Sequence, residues 1–256
     1  MDSINKISLD KKVVFNNEFH TYHKGDKKLV SVTTLLSKFK NEFDSDYWSK
    51  VIAKRENKTQ EEILSLWKEK AFKSTEIGTA IHKIFEDYAL NNYSIINDKH
   101  VFDYKKINEE YFLDFNKKSI IANNFINDFF KTKRIVPVHS EHIVYNDFLA
   151  GQVDMICKDA KENFYIIDFK TNEKIDFESY KSKKMLGCFN FIDDSSYWHY
   201  CIQLSIYKNL LKNYNIRKLF IIHITGEKYH FIECEDILDK IKLKDIINDY
   251  YKLTNQ

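Results

Sequence analysis

Three apolar runs in close succession constrain this chain more than any other feature. They read "IVPVHSEHIVYN", "FLAGQVDMICKD" and "NFYIIDFKT", and together they fill most of residues 135–171. Each is short, rich in β-branched and aromatic residues, and bounded by polar turn residues, so the three read as consecutive strands. The third run carries a peculiarity. Its apolar stem "FYII" ends in Asp168 and Lys170, two residues apart and therefore on one face of a strand. A strand buried enough to need that stem would not ordinarily place a carboxylate and an ammonium on the same side.

The flanking segments fit a sheet covered by helices. "KVVFNNEFHTYHKGDKKLVSV" alternates apolar and polar residues around two turn signals and reads as two or three short antiparallel strands. "TTLLSKFKNEF" begins as a helix. Thr59 and Glu62 form a capping-box pattern before "ILSLWKEKAF". A further helix is expected from about residue 74, with Ile77, Ile81, Ile84, Phe85 and Tyr88 on its apolar face. "SIIANNFINDFFKT" is expected to be amphipathic and helical, and "SSYWHYCIQLSIYKNLLKNY" gives the helix after the strands. "KLFIIHIT" and "YHFIECE" read as a hairpin, and "DILDKIKLKDIINDYYKL" as a closing helix. The expectation is an α/β fold, a mixed β-sheet flanked by helices with an N-terminal helical elaboration. With 5 Gly and 1 Pro, no flexible linker divides the chain, so residues 1–256 are read as one domain. Within it, 1–73 hold the N-terminal strands and helices and 74–256 the core.

Charge narrows the functional classes. Lys+Arg is 40 against 38 Asp+Glu, a formal net charge of +2, so the chain is no general polycation. Nucleic-acid binding would need basic residues concentrated locally. Only Arg55, Arg134 and Arg217 are arginines. Bidentate base reading favours arginine, so contact with backbones is expected rather than sequence-specific recognition. The opening "MDSINKISLDKK" lacks an apolar signal core, and no run has the length to cross a bilayer. The expectation is a cytoplasmic protein, or a viral protein inside its host cell, not a secreted one, with no membrane partner. Cys157, Cys188, Cys201 and Cys234 lack CxxC spacing and read as free thiols.

Three constellations stand out. A hairpin through "CKDAKEN" would bring Asp154 and Asp168 close, and two carboxylates together need a neutralising cation. Lys170 supplies one charge and a hard divalent ion would supply more. A surface ion pair at a strand end is the bland alternative, weakened by Gly151, which permits close backbone approach, and by the apolar setting of Asp154 in "VDMIC". In "GTAIHKIFE", Gly78, His82 and Glu86 follow one side of a helix at i, i+4, i+8. A glycine inside a helix costs about 1 kcal/mol, which makes sense where something must come close. Finally, Gln203 and Tyr207 share a helix face, a commonplace pattern taken alone.

Taken in order, Gly78-His82-Glu86, Gly151-Asp154, Asp168-Lys170-Thr171 and Gln203-Tyr207 resemble the motif series of the PD-(D/E)XK nuclease superfamily. The likeness is to its RecB-type branch, with the related viral and mitochondrial single-strand exonucleases, and it spans roughly residues 15–225. "EFHTYHKGDKKLVSVTTLLSKF" also looks like the opening segment of phage and giant-virus members. The resemblance implies a restriction-endonuclease-like core. It implies Asp154, Asp168 and His82 as ligands of Mg²⁺ or Mn²⁺, with the carbonyl of Phe169 completing the shell. It implies Lys170 as the catalytic lysine, alongside Asp168, Asp154 and Glu86. Thr171, Gln203 and Tyr207 would position or bind substrate, and Glu141 would line the same cleft. The partner would be DNA, as single strands or ends, and the role repair, recombination or replication. Lysines 181, 183 and 184 read as a solvated charge run, with phosphate contact as the alternative, and Tyr197 and Trp198 would pack in the core or stack on bases. Some RecB-type enzymes hold an iron–sulfur cluster by one early and three late cysteines. No cysteine precedes Asp154 here, so no cluster is expected. A structure-selective or restriction-type endonuclease, and an inactive nucleic-acid-binding scaffold, are the competing readings.

Overall fold

The computed structural model describes residues 6–8, 10–93, 108–133 and 135–255. Arg134 and residues 1–5 of the opening segment lie outside the described residues. Four short strands come first: β1 (Lys6–Ile7), β2 (Val14–Asn16), β3 (Thr21–Lys24) and β4 (Lys27–Ser31). They form an antiparallel meander; β2 to β4 fall in the alternating segment, and β1, which precedes it, is one strand more than the two or three expected. Helix α1 (Val32–Ser37) starts at once, because the Ser31 hydroxyl accepts the Thr34 N–H and caps it.

Helix α2 (Ser45–Glu56) ends at Asn57, whose left-handed φ of 53° provides the stop. The Thr59–Glu62 capping box then forms as read. The Thr59 N–H donates to Glu62 Oε2 at 2.6 Å and the Glu62 N–H to Thr59 Oγ1 at 3.1 Å. It opens α3 (Gln60–Tyr93), a 34-residue helix. Two successive helices were expected in this stretch, but no proline interrupts it and one mid-helix glycine does not break it. Residue 73 therefore falls inside a continuous helix. Helix α4 (Glu109–Phe125) begins ten residues earlier than its apolar signal, capped by Asn108, and runs into a π-helical turn, Ile126–Lys131.

Then come β5 (Val136–Tyr145), β6 (Leu149–Lys158) and β7 (Phe164–Lys170), formed by the three apolar runs between residues 135 and 171. Helix α5 (Ser196–Leu210), β8 (Ile216–Ile224), β9 (Tyr229–Cys234) and α6 (Leu243–Thr254) follow. Among the described residues, nine strands form one mixed sheet, with the path β1-β2-β3-β4-β6-β7-β8-β9 and β5 on the remaining edge of β6. Pairing is parallel at β4–β6 and β7–β8 and antiparallel elsewhere.

Helices cover both faces. On one side α1, α5 and α6 bury Leu35, Leu204 and Ile246 with Ile166 and Ile221 of the sheet. On the other, α3 and α4 bury Ile81, Phe85 and Phe125 with Ile167, Phe169 and Ile222. Strand β7 thus alternates between two cores, and Phe169 stacks on Phe85 with centroids 3.6 Å apart. Tyr197 and Trp198 pack against the first core.

Candidate metal centre

The site sits in a fork of the sheet. On one edge of β6, β4 pairs only with Leu149 and Ala150, and β7 pairs only from Met155 onward. Gly151 to Asp154 lie between, where the two neighbours part. Continuing the β6–β7 register past Met155 and Ile167 would set Asp154 opposite Asp168, but β7 peels away there. The freed backbone groups find side-chain partners. The Phe169 N–H donates to Asp154 Oδ2 at 2.8 Å, and the Phe169 carbonyl accepts from His82 Nε2 at 2.8 Å. Both backbone groups are buried and need partners, so the departure of β7 helps fix the carboxylate and the imidazole.

A carbonyl can only accept, so His82 Nε2 carries a proton and donates it, and Nδ1 faces elsewhere. It faces Asp154 Oδ2 at 3.4 Å. Glu141 completes the group: one ligand atom each from His82, Glu141 and Asp154 lies within 4.8 Å of the others. The β5–β6 ladder explains how. Ser140 pairs with Met155 and His142 with Val153, so Glu141 lies across from Asp154. Its φ of 52° is left-handed, uncommon for glutamate and costly by about 1–3 kcal/mol.

The electrostatics ask for a cation. Burial pushes the Asp154 carboxyl up to about 6; nearby His82 counters this, while Asp168 and Glu141 add to it. Asp168 is 3% exposed, and its Oδ2, in contact with the Lys170 ammonium, has no hydrogen bond of good geometry. An imidazole nitrogen and two facing carboxylates are a donor set that suits a hard divalent ion; Asp168 stands outside that group but close enough to act on Asp154. Burial would depress the Lys170 ammonium, but Asp168 and Asp154 outweigh it and hold that group well above its usual range. Its Nζ also lies 4.8 Å from the Tyr200 ring centroid, over the face of α5.

Two glycines are explained by what presses on them. A Cβ on Gly151 would sit 2.3 Å from Cε1 of Tyr207, so the ring lies on the bare backbone of β6. A Cβ on Gly78 would meet Thr171 Oγ1 at 3.2 Å. Thr171 is buried and therefore braces the end of β7 against α3. Gln203 Nε2 donates to the Tyr207 hydroxyl at 3.0 Å and holds the ring that forms one wall, without lining the cleft itself. A cleft of about 410 Å³ opens over the group, with Gly78, His82, Glu86, Glu141, Asp154 and Tyr207 in its lining. Glu86 is at this lining, bound to Lys83 at 2.9 Å, and Lys83 also holds Asp87 at 3.1 Å.

Sequence reasoning did not single out Lys83, Tyr22 or Tyr200. Lys83 lies between His82 and Glu86 and looks like one more solvated lysine. Tyr22 reaches the cleft from β3, and burial followed by Glu141 and Asp154 raises its phenol. Tyr200 had a usable signal, since Tyr200, Gln203 and Tyr207 repeat at i, i+3, i+7 on one face of α5. Of the lysines at 181, 183 and 184, Lys184 is tied to Asp193 at 2.6 Å.

No protein-family profile matches this sequence, and no curated protein matches it. Among solved structures, a protein designated SSO0001 aligns over 91% of this chain and 80% of its own, at 16% identity and a TM-score of 0.39. A protein from Eubacterium rectale, provisionally named an exonuclease, aligns over 72% of this chain and 68% of its own, at 13% identity and a TM-score of 0.40. Likeness of this order carries nothing about activity. The functional reading rests on the site.

Proposed function

We propose that this chain is a divalent-metal-dependent nuclease hydrolysing phosphodiester bonds of DNA, with single strands or strand ends as substrate. The observation that carries the reading is the convergence of His82, Glu141 and Asp154 beside the buried Asp168–Lys170 pair. Asp154, His82, Glu141 and Asp168 would hold Mg²⁺ or Mn²⁺, with the Phe169 carbonyl adjacent. Such an ion, when bound, supplies Lewis-acid stabilisation of a phosphoryl oxygen and a water of lowered pKa.

The remaining work falls to the chain's own groups. Lys170 presents a charged donor whose position is set by Asp168, by the Tyr200 ring and by the rigid stem of β7. In that state it orients a water oxygen and offsets negative charge developing on the phosphoryl group. Acting as a base instead requires loss of its proton, which becomes easier once the charge of Asp154 and Asp168 is taken up by a cation. His82 spends Nε2 on the Phe169 carbonyl, so Nδ1 stays oriented for ligation. Tyr207, held by Gln203, walls the cleft, Thr171 braces β7, and Glu86 with its Lys83 partner lies at the cleft lining.

The test is incubation of end-labelled linear DNA with Mg²⁺ or Mn²⁺, beside a covalently closed circle. An exonuclease shortens the linear strand and leaves the circle intact, whereas an endonuclease opens the circle. Asp154→Asn and Lys170→Ala are expected to abolish both activities. A protein that binds DNA yet cleaves neither form with either metal is a binding scaffold, and the enzyme reading then fails.

A further inference from the structure

The cleft described above is poorly suited to hold a polyanion by itself. Its lining has Glu86, Glu141 and Asp154 against Lys83 and His82. A second, larger groove of about 1080 Å³ has the opposite balance. Six lysines line it against four carboxylates (Glu69, Asp114, Glu173 and Glu227). Its lining therefore carries a formal excess of two positive charges.

Both depressions use α3. Trp67, Lys70 and Ser74 line the groove, and Gly78, His82 and Glu86 line the cleft. At helical spacing these residues follow one side of the helix, and Trp67 and His82 are about 22 Å apart along its axis. The opposite bank is Lys117 and Lys118 of α4, the segment after β7, and Lys228 in the β8–β9 turn. Lys118 donates to the Thr171 carbonyl, which ties this bank to the end of the strand that carries Asp168 and Lys170. One of the cations is held only at the surface. Lys70 and its partner Glu173 are 65% and 75% exposed, and such a pair exchanges readily for a phosphate. The groove also has an aromatic station: Trp67 packs against the exposed Phe43, centroids 5.7 Å apart.

We infer that this groove is a binding site for an unpaired polynucleotide strand, with lysines following its phosphates and Trp67 and Phe43 offering a face to its bases. The inference rests on the nuclease reading for its purpose, since it delivers the strand along α3 to the cleft. Lysines without arginine suit backbone contact that ignores sequence, and aromatic stacking suits bases that are not already stacked in a duplex.

The experiment is equilibrium binding of fluorescein-labelled oligothymidylate, measured by anisotropy in EDTA so that no hydrolysis occurs. The unaltered protein should bind it more tightly than a duplex of equal length. Lys117→Gln with Lys228→Gln should weaken binding roughly tenfold or more and lower the salt dependence by about 0.7 in slope for each lysine removed. Trp67→Ala should weaken it roughly tenfold, with Trp67→Phe restoring most of the loss. The exposed lysine variants keep the test valid if Trp67→Ala does not fold. The inference is overturned if the unaltered protein does not bind, if these variants bind as it does, if duplex binds as well, or if polyglutamate competes as strongly as the oligonucleotide. Hydrolysis with Mn²⁺ by variants whose binding is unchanged would overturn the groove and leave the nuclease standing. Groove-dependent binding without hydrolysis would do the reverse.

Discussion

Tyr207 rests on the backbone of Gly151, so closely that a single methyl group there would stand 2.3 Å from the ring. The ring belongs to α5 and the glycine to β6, and their contact sets how far the helix stands from the sheet beside Asp154. Gly151→Ala is therefore expected to push α5 outward or twist β6, at a cost of about 1–3 kcal/mol. Urea denaturation checks the stability. Activity should fall further than stability explains, because Asp154 is three residues away. An alanine variant with unchanged midpoint and turnover would show that the contact is slack.

Lys170 and Asp168 form a buried ion pair, and its two halves are not equivalent on removal. Lys170→Ala leaves Asp168, 3% exposed, without its cation, and is expected to destabilise by about 3–5 kcal/mol. Asp168→Asn with Lys170→Met together should recover most of that stability while remaining inactive. Thermal melts of the three proteins distinguish a structural role from a chemical one. Equal stability of the single and double variants would refute the pairing argument.

Metal binding should weaken in acid. The Asp154 carboxyl, raised chiefly by burial to about 6, must lose its proton to act as a ligand. Mn²⁺ affinity measured by calorimetry is expected to be steady above pH 7 and to fall about tenfold per unit below pH 6. Without metal the sign reverses. The folded protein binds a proton at Asp154 more readily than the unfolded chain, whose ordinary aspartate value is about 3.9. Asp154 therefore lowers stability above pH 6, and that penalty is relieved as pH falls from 6 towards 4. Added Mn²⁺ at pH 7.5 should raise the melting temperature, and Asp154→Asn should remove that rise.

Glu141 combines a left-handed backbone with a place in the metal group. Glu141→Gly removes both the backbone strain and a carboxylate facing Asp154. The expected outcome is a metal-free protein no less stable, by up to about 1 kcal/mol more, with Mn²⁺ affinity reduced at least tenfold. Differential scanning calorimetry in EDTA and a Mn²⁺ titration read the two effects separately. Destabilisation with unchanged affinity would remove Glu141 from the site.

The sequence by itself determined what depends on near neighbours. The strand runs of β5, β6 and β7 are visible as apolar segments, the α3 start as a capping box, and the shared face of Asp168 and Lys170 as a spacing of two. Each follows from backbone geometry repeated every two or 3.6 residues. The long single helix α3 was less legible: the apolar periodicity suggests a new helix from about residue 74, yet the chain runs through that point without a break, and Gly78 inside it is a seat for Thr171. Only the tertiary structure decided the site. The fork that strands Gly151 to Asp154 between β4 and β7 depends on where two pairings stop. The placing of Glu141 depends on cross-strand register and one left-handed residue. The tautomer of His82 depends on a carbonyl 87 positions away. The lysine groove likewise assembles α3, α4 and the β8–β9 turn from distant parts of the chain. Chain spacing fixes which side chains share a face, but only packing fixes which faces meet, and a site that needs several charges at one point is made by that meeting.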